Sequence, residues 1–216
     1  MTGRPRHPDI RALGVLLAAL LALSGCSGNS TDLRLDAITE DASVRTTFQV
    51  RAYVPTDQNT ADVYFSDIPT ERLLDPQDTL ADAVGSIVHL HMFLTPVAGA
   101  TPIDSTACNT TVRQIVLAGP LGAARNRPAL GVYSGGGFLL PDDSLFDATL
   151  KLTHASPGFV DRLGASRMHG DFAARREDEL ARAIAARFSS LLELTRPVPE
   201  APPPAGFEPA PEEPAE

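Results

Sequence analysis

Between residues 45 and 54 the apolar side chains Phe48, Val50, Ala52 and Val54 alternate with Thr47, Gln49, Arg51 and Tyr53, the period of two that marks a half-buried strand. The turn-forming run 55–60 (PTDQNT) follows. Residues 61–68 then alternate again, with Val63 and Phe65 on one side and Asp62, Tyr64 and Ser66 on the other. The two segments predict an antiparallel hairpin. A single helical turn over 69–74, begun at Asp67 and ended by Asp75-Pro76, separates it from what comes next.

Strand signals continue beyond that turn. Residues 84–95 are rich in Val, Ile and Phe, and 106–117 in Thr and Val. The segments 130–133 and 137–140 flank a glycine triplet read as a turn, and 148–154 alternate. The last element has a different period: Leu180, Ile184, Phe188 and Leu191 recur at intervals of four, four and three, one face of a helix. Glu177, Asp178 and Glu179 at its start suit the helix dipole, and Arg196 with Pro197 marks its end. Seven or eight short strands followed by one helix predict a mainly β fold over 33–196, an antiparallel β-sandwich-like domain with one C-terminal amphipathic α-helix packed on a sheet or its edge.

The two ends of the chain fall outside this pattern. Residues 197–216 hold eight prolines, five glutamates and no basic residue, a composition that cannot bury a core and predicts a disordered or extended tail. At the other end Arg4, Arg6 and Arg11 precede the uncharged run 12–23 (ALGVLLAALLAL), the charged and apolar regions of an export signal. Twelve helical residues reach about 18 Å against roughly 30 Å of hydrocarbon, so cleavage is expected rather than a permanent span.

The run Leu23-Ser24-Gly25-Cys26 that follows resembles the lipobox of bacterial lipoproteins. The resemblance covers about the first 30 residues. It implies a signal peptide over 1–25, a diacylglyceryl thioether on Cys26, and cleavage before that cysteine. Residues 26–32 (CSGNSTD) then form a lipidated tether, and the membrane is a partner held through the lipid anchor. The implied location is the cell membrane or outer membrane, outside the cytoplasm; Ser27, where inner-membrane members often carry Asp, favours the outer membrane. Within the domain, ASPGFVDRLG and PIDSTAC are similar to segments of bacterial, planctomycete-type lipoproteins of no assigned activity, so they bring no functional residues with them.

Charge and cysteine content narrow the function classes. The formal charge is −9, and residues 1–25 hold three basic residues against one acidic, so the remainder carries 15 basic and 26 acidic residues and nucleic acid is not expected as a partner. With Cys26 lipidated, Cys108 has no internal disulfide partner, and it is expected to be buried as a small apolar residue.

Candidate chemistry is sparse. His89 and His91 lie two apart, so on a strand both rings leave one face, as zinc ligands do, with His154 and His169 available as a third ligand. The same segment reads better as a central strand buried on both sides, with Ile87 and Phe93 beside the histidines and Val88, Leu90, Met92 and Leu94 opposite. On that reading the histidines are structural. Gly135, Gly136 and Gly137 lack the Gly-Lys-Ser/Thr ending of a phosphate loop, and Asp57, Asn59 and Asp62 lack the rest of a calcium loop. No catalytic, cofactor-binding or metal residue is assigned, and no cofactor is expected. The expectation is a non-catalytic binding or structural module of the envelope, with an unidentified envelope protein or ligand as partner. The alternatives are a small metal-dependent enzyme using His89 and His91, and a carrier of an apolar ligand.

Overall fold

The computed structural model describes residues 31–95, 108–120, 128–140 and 145–195. The expected signal peptide over 1–25, Cys26, Arg196 and the expected tail over 197–216 lie outside the described residues.

Ten strands and two helices follow one another. β1 (Thr31–Ala37), β2 (Ser43–Phe48), β3 (Val50–Pro55) and β4 (Ala61–Ser66) lead to the short helix α1 (Thr70–Leu74). β5 (Val84–Met92), β6 (Thr110–Pro120), β7 (Pro128–Leu140), β8 (Leu145–Ala155), β9 (Ser166–Asp171) and β10 (Arg175–Arg176) precede α2 (Asp178–Glu193). The fold is mainly β, as the alternation predicts.

The strands form one sheet in the order β10-β3-β4-β5-β6-β7-β8-β9-β1-β2, antiparallel throughout except where β10 runs parallel to β3. β2 closes this order at one end and β3 stands next to last at the other, yet only Gln49 separates them in the chain. The sheet therefore curls until its two ends are joined through this one run. A single curled sheet stands where two stacked sheets were expected. Thr31 and Asp32, expected in the tether, pair with Phe48 and Thr47 as the start of β1.

The curl divides the apolar residues into two cores. Leu33, Phe48, Val63, Val88, Val112, Phe146 and Met168 come from strands all round the sheet and meet in one cluster, which is the concave interior. Val50, Ala52, Tyr64, Ile87, Ile115 and Leu130 point the other way and are covered by Ala181, Ile184, Phe188 and Leu191 of α2. The predicted helical face is thus buried on the convex side, with Leu180 at its margin rather than at its centre.

The glycine triplet is not a turn. β7 runs straight through it, pairing Gly135 with Leu150 and Gly137 with Ala148. A Cβ added at Gly135 would come within 1.7 Å of the Thr149 carbonyl, and one at Gly137 within 2.1 Å of the Asp147 carbonyl. Glycine here permits β7 and β8 to approach closely.

Candidate functional site

The histidine pair sits on the convex face. Asp62 of β4 lies opposite His91 of β5, and Tyr64 opposite His89, so the sheet register brings all four side chains together. His89 Nε2 and His91 Nδ1 each lie 2.8 Å from Asp62 Oδ1, which accepts from both rings. The His89 hydrogen bond is the main reason the Asp62 carboxyl is held below its ordinary range; burial opposes it, and His91 adds to it. The His89 ring stacks on Tyr64 with centroids 4.7 Å apart and meets the edge of Phe188 of α2. Burial, with the Asp62 charge nearby, pushes the Tyr64 hydroxyl up to about 12.

His154 and His169 join neither ring. His154 Nδ1 lies 3.2 Å from Thr153 Oγ1 on β8, and His169 Nε2 lies 2.8 Å from Asp36 Oδ2 across β9 and β1. Among the described residues no three His, Cys, Asp or Glu side chains are arranged to hold a metal ion. Asp57 forms a local turn, its Oδ1 accepting the Asn59 and Thr60 backbone N–H groups, and Asp62 is engaged by the histidines. Cys108 is exposed, contrary to the expectation that it is buried; it stands just ahead of β6, where the next residue, Asn109, is the one drawn inside.

A different site opens where the curl is incomplete. Ser66, the last residue of β4, pairs with Val50 on one side and Ile87 on the other. Beyond it no described strand stands between β2 and residues 84–86 of β5, so a slot leads into the concave interior. Val44 on the β2 lip is 48% exposed and Val84 on the β5 lip 79%. Behind them lies a half-open cavity of about 200 Å³, lined by Leu33, Phe48, Val116, Met168 and Gln114.

Gln114 is the polar member of an apolar row. It pairs with Val88 and Tyr133, both in the interior cluster, and so shares their face with Val112 and Val116. The residue is 6% exposed, and its Oε1 is buried with no hydrogen-bond partner. Arg187 Nε and one of its terminal nitrogens share that condition among the described residues, whereas Thr31 donates to Ala173 O, Ser66 to Ser86 O, Thr110 to Asn109 Oδ1 and Ser166 to Leu163 O. Asn109 donates to Leu139 O and accepts from Leu139 N. The inner hydroxyl of Tyr133 donates to Asp161 at 2.6 Å.

Asp67 marks the rim. Its Oδ1 accepts the Ser86 N–H at 2.6 Å, and Gly85, at φ +151°, has no side chain to obstruct it. Burial raises the Asp67 carboxyl above its ordinary value, with the Ser86 hydrogen bond opposing that rise. Arg34 also reaches the cavity lining, with its guanidinium engaged by Asp36 at 2.7 Å. Sequence reading missed this site because it depends on where β4 stops. The one local signal was a glutamine in the apolar row Val112, Gln114, Val116.

Comparison with family models, with curated proteins and with solved structures finds no match to this chain. No helix among the described residues is long and apolar enough to cross a membrane.

Proposed function

We propose that the chain is a lipid-anchored envelope protein that binds a small apolar ligand inside its curled, barrel-like sheet. The observation that carries this reading is the half-open cavity behind Val44 and Val84, with its mainly apolar lining. Ligand sites are concave, mostly apolar and supplied with a few placed polar groups, and this cavity has that character. An apolar cavity of about 150 Å³ accepts benzene, so one of this size, open on one side, accepts a ring or short chain with the rest of a longer apolar body lying in the slot. Anchoring follows from the lipobox at Leu23-Ser24-Gly25-Cys26: acylation at Cys26 holds the domain outside the cytoplasm, at the outer membrane where the cell has one.

On this reading His89 and His91 are structural, clamping β4 to β5 through Asp62 and supporting α2 through Phe188.

The test uses the chain from residue 26 onward with Cys26→Ser, which keeps every described residue. Titrating it with 1-aminoanthracene should give saturable fluorescence enhancement at one site per chain. Enhancement that rises linearly with probe and never saturates would remove the ligand-binding reading.

A further inference from the structure

We propose that the end of the curled sheet at which β1 begins rests on the bilayer that holds the lipid anchor, through an apolar rim of Phe93, Leu94, Phe138, Leu140 and Leu145. This inference rests on the anchoring reading and adds the surface that the folded domain itself presents to lipid.

The antiparallel order brings the end of β5, the start of β6, the end of β7, the start of β8 and the start of β1 to one end of the sheet. Leu140 pairs with Leu145, and Phe138 with Asp147. Leu139 and Phe146 between them belong to the interior cluster, so by alternation Phe138, Leu140 and Leu145 stand on the outer face. Met92 is interior too, and Phe93 after it donates its N–H to Asn109 O at 3.0 Å, extending the β5–β6 pairing outward. The Asn109 side chain donates to both Leu94 O and Leu139 O, which ties the two halves of the rim together. Phe93 is 42% exposed, Leu94 46% and Leu145 49%, with Phe138 and Leu140 half-buried beside them. Exposed apolar side chains gathered at one edge mark a contact surface.

The start of the chain identifies what covers it. Asp32 pairs with Asp171, and Asp171 with Leu145, so two strand spacings, about 10 Å, separate β1 from the rim. Cys26 precedes Thr31 by five residues, an extended reach of at most about 18 Å. The opposite end of β8, at Ala155, lies about 33 Å from Leu145 along the strand. An acylated Cys26 therefore holds the apolar rim against the lipid surface and leaves the opposite end away from it. Attachment keeps the rim at high effective concentration, so a few half-exposed side chains suffice to dock it. The carboxylates of Asp147 and Asp32 beside the rim are paired with Arg167 and Arg45. Because the chain beyond residue 25 is acidic overall, the contact is with the apolar layer of the bilayer and not with anionic headgroups. Val44 pairs with Leu35, four residues along β1 from Thr31, so docking leaves the slot open above the lipid.

The chain has no tryptophan, so a single introduced one reports its own surroundings. The chain from residue 26 onward, with the exposed Cys108 changed by Cys108→Ser, is coupled through Cys26 to a maleimide-bearing lipid in phosphatidylcholine vesicles. This tether places lipid on Cys26 without cellular processing, so its outcome is separate from whether a cell acylates that residue. Phe93→Trp and Leu145→Trp should emit at shorter wavelength on the coupled than on the free protein, and lose emission when the vesicle lipid carries brominated acyl chains. Either site suffices if the other variant fails to fold. Val160→Trp, 68% exposed in the loop beyond the far end of β8, should show neither change. Equal quenching at all three positions, or none at Phe93→Trp and Leu145→Trp, overturns the inference. So does a dimer of the uncoupled chain in sedimentation equilibrium that Leu145→Ser disperses, because a second copy would then cover the rim. Absence of fatty-acid label on Cys26 in cells is a different result, and strikes the underlying anchoring reading.

Discussion

Phe48 and Val50 are two residues apart on one run of chain and belong to different cores, Phe48 to the interior of the curled sheet and Val50 to the layer beneath α2. The bend at Gln49 turns the faces over, so that β2 serves β1 and β3 serves β4. Phe48 is 2% exposed, packs on Phe65 and also lines the cavity behind Val44 and Val84. Phe48→Ala should therefore cost about 3–5 kcal/mol in urea denaturation. A cost below about 1 kcal/mol would mean that the interior repacks and that this residue does not hold the two ends of the sheet together.

The glycines of β7 should differ sharply in what they tolerate. Gly135→Ala drives a methyl into the Thr149 carbonyl and should destabilise by at least about 1–3 kcal/mol. At Gly136 the nearest atom is Cys108 Sγ at 3.1 Å, on an exposed side chain that can move. Gly136→Ala should shift the denaturation midpoint far less, and equal shifts would refute close approach of β7 and β8 as the reason for the triplet.

Much of the fold is legible in local pattern. The β3–β4 hairpin, the two-sided burial of β5 and the buried face of α2 all follow from hydrophobic period. The features that pattern does not reveal are long-range ones. Alternation runs unbroken through Gln49, because the reversal there is imposed by the meeting of the sheet's two ends. A glycine triplet signals a turn and a close approach alike. β9 (SRMHGD) and β10 (RR) carry too few apolar positions to announce themselves. The histidine pair was visible as two rings on one face, but Asp62 joins it only through the β4–β5 register.

Asp62 should give stability a defined acid dependence. Its folded carboxyl titrates below the ordinary value of 3.8, so the stabilisation is fully present above that value and is lost as pH falls through the lower folded value. Asp62→Asn should cost about 1–3 kcal/mol at pH 7 through loss of hydrogen bonds to a charged acceptor. It should also flatten the fall in stability as pH drops below the ordinary carboxylate value of 3.8. Denaturation curves of both proteins across that range check the sign; a variant as acid-sensitive as the parent would show that Asp62 is not responsible.

Anchoring is tested independently of ligand binding. In a bacterial host fed labelled palmitate, the chain should take up label and fractionate with membranes, and Cys26→Ser should lose both properties. Label persisting in Cys26→Ser would place the acyl group elsewhere or exclude lipidation at the lipobox.

Whether the slot behind Val44 and Val84 binds a ligand can be tested by filling its cavity from within. Val116 lines it and is only partly buried, so Val116→Phe places a ring in existing space. Binding of 1-aminoanthracene should be titrated on this variant and on the parent, each as the chain from residue 26 onward with Cys26→Ser, with melting temperatures recorded alongside. Val116→Phe should melt at the parent's temperature or above it and lose saturable binding. Probe binding that persists at the parent's affinity in a folded Val116→Phe protein would contradict it.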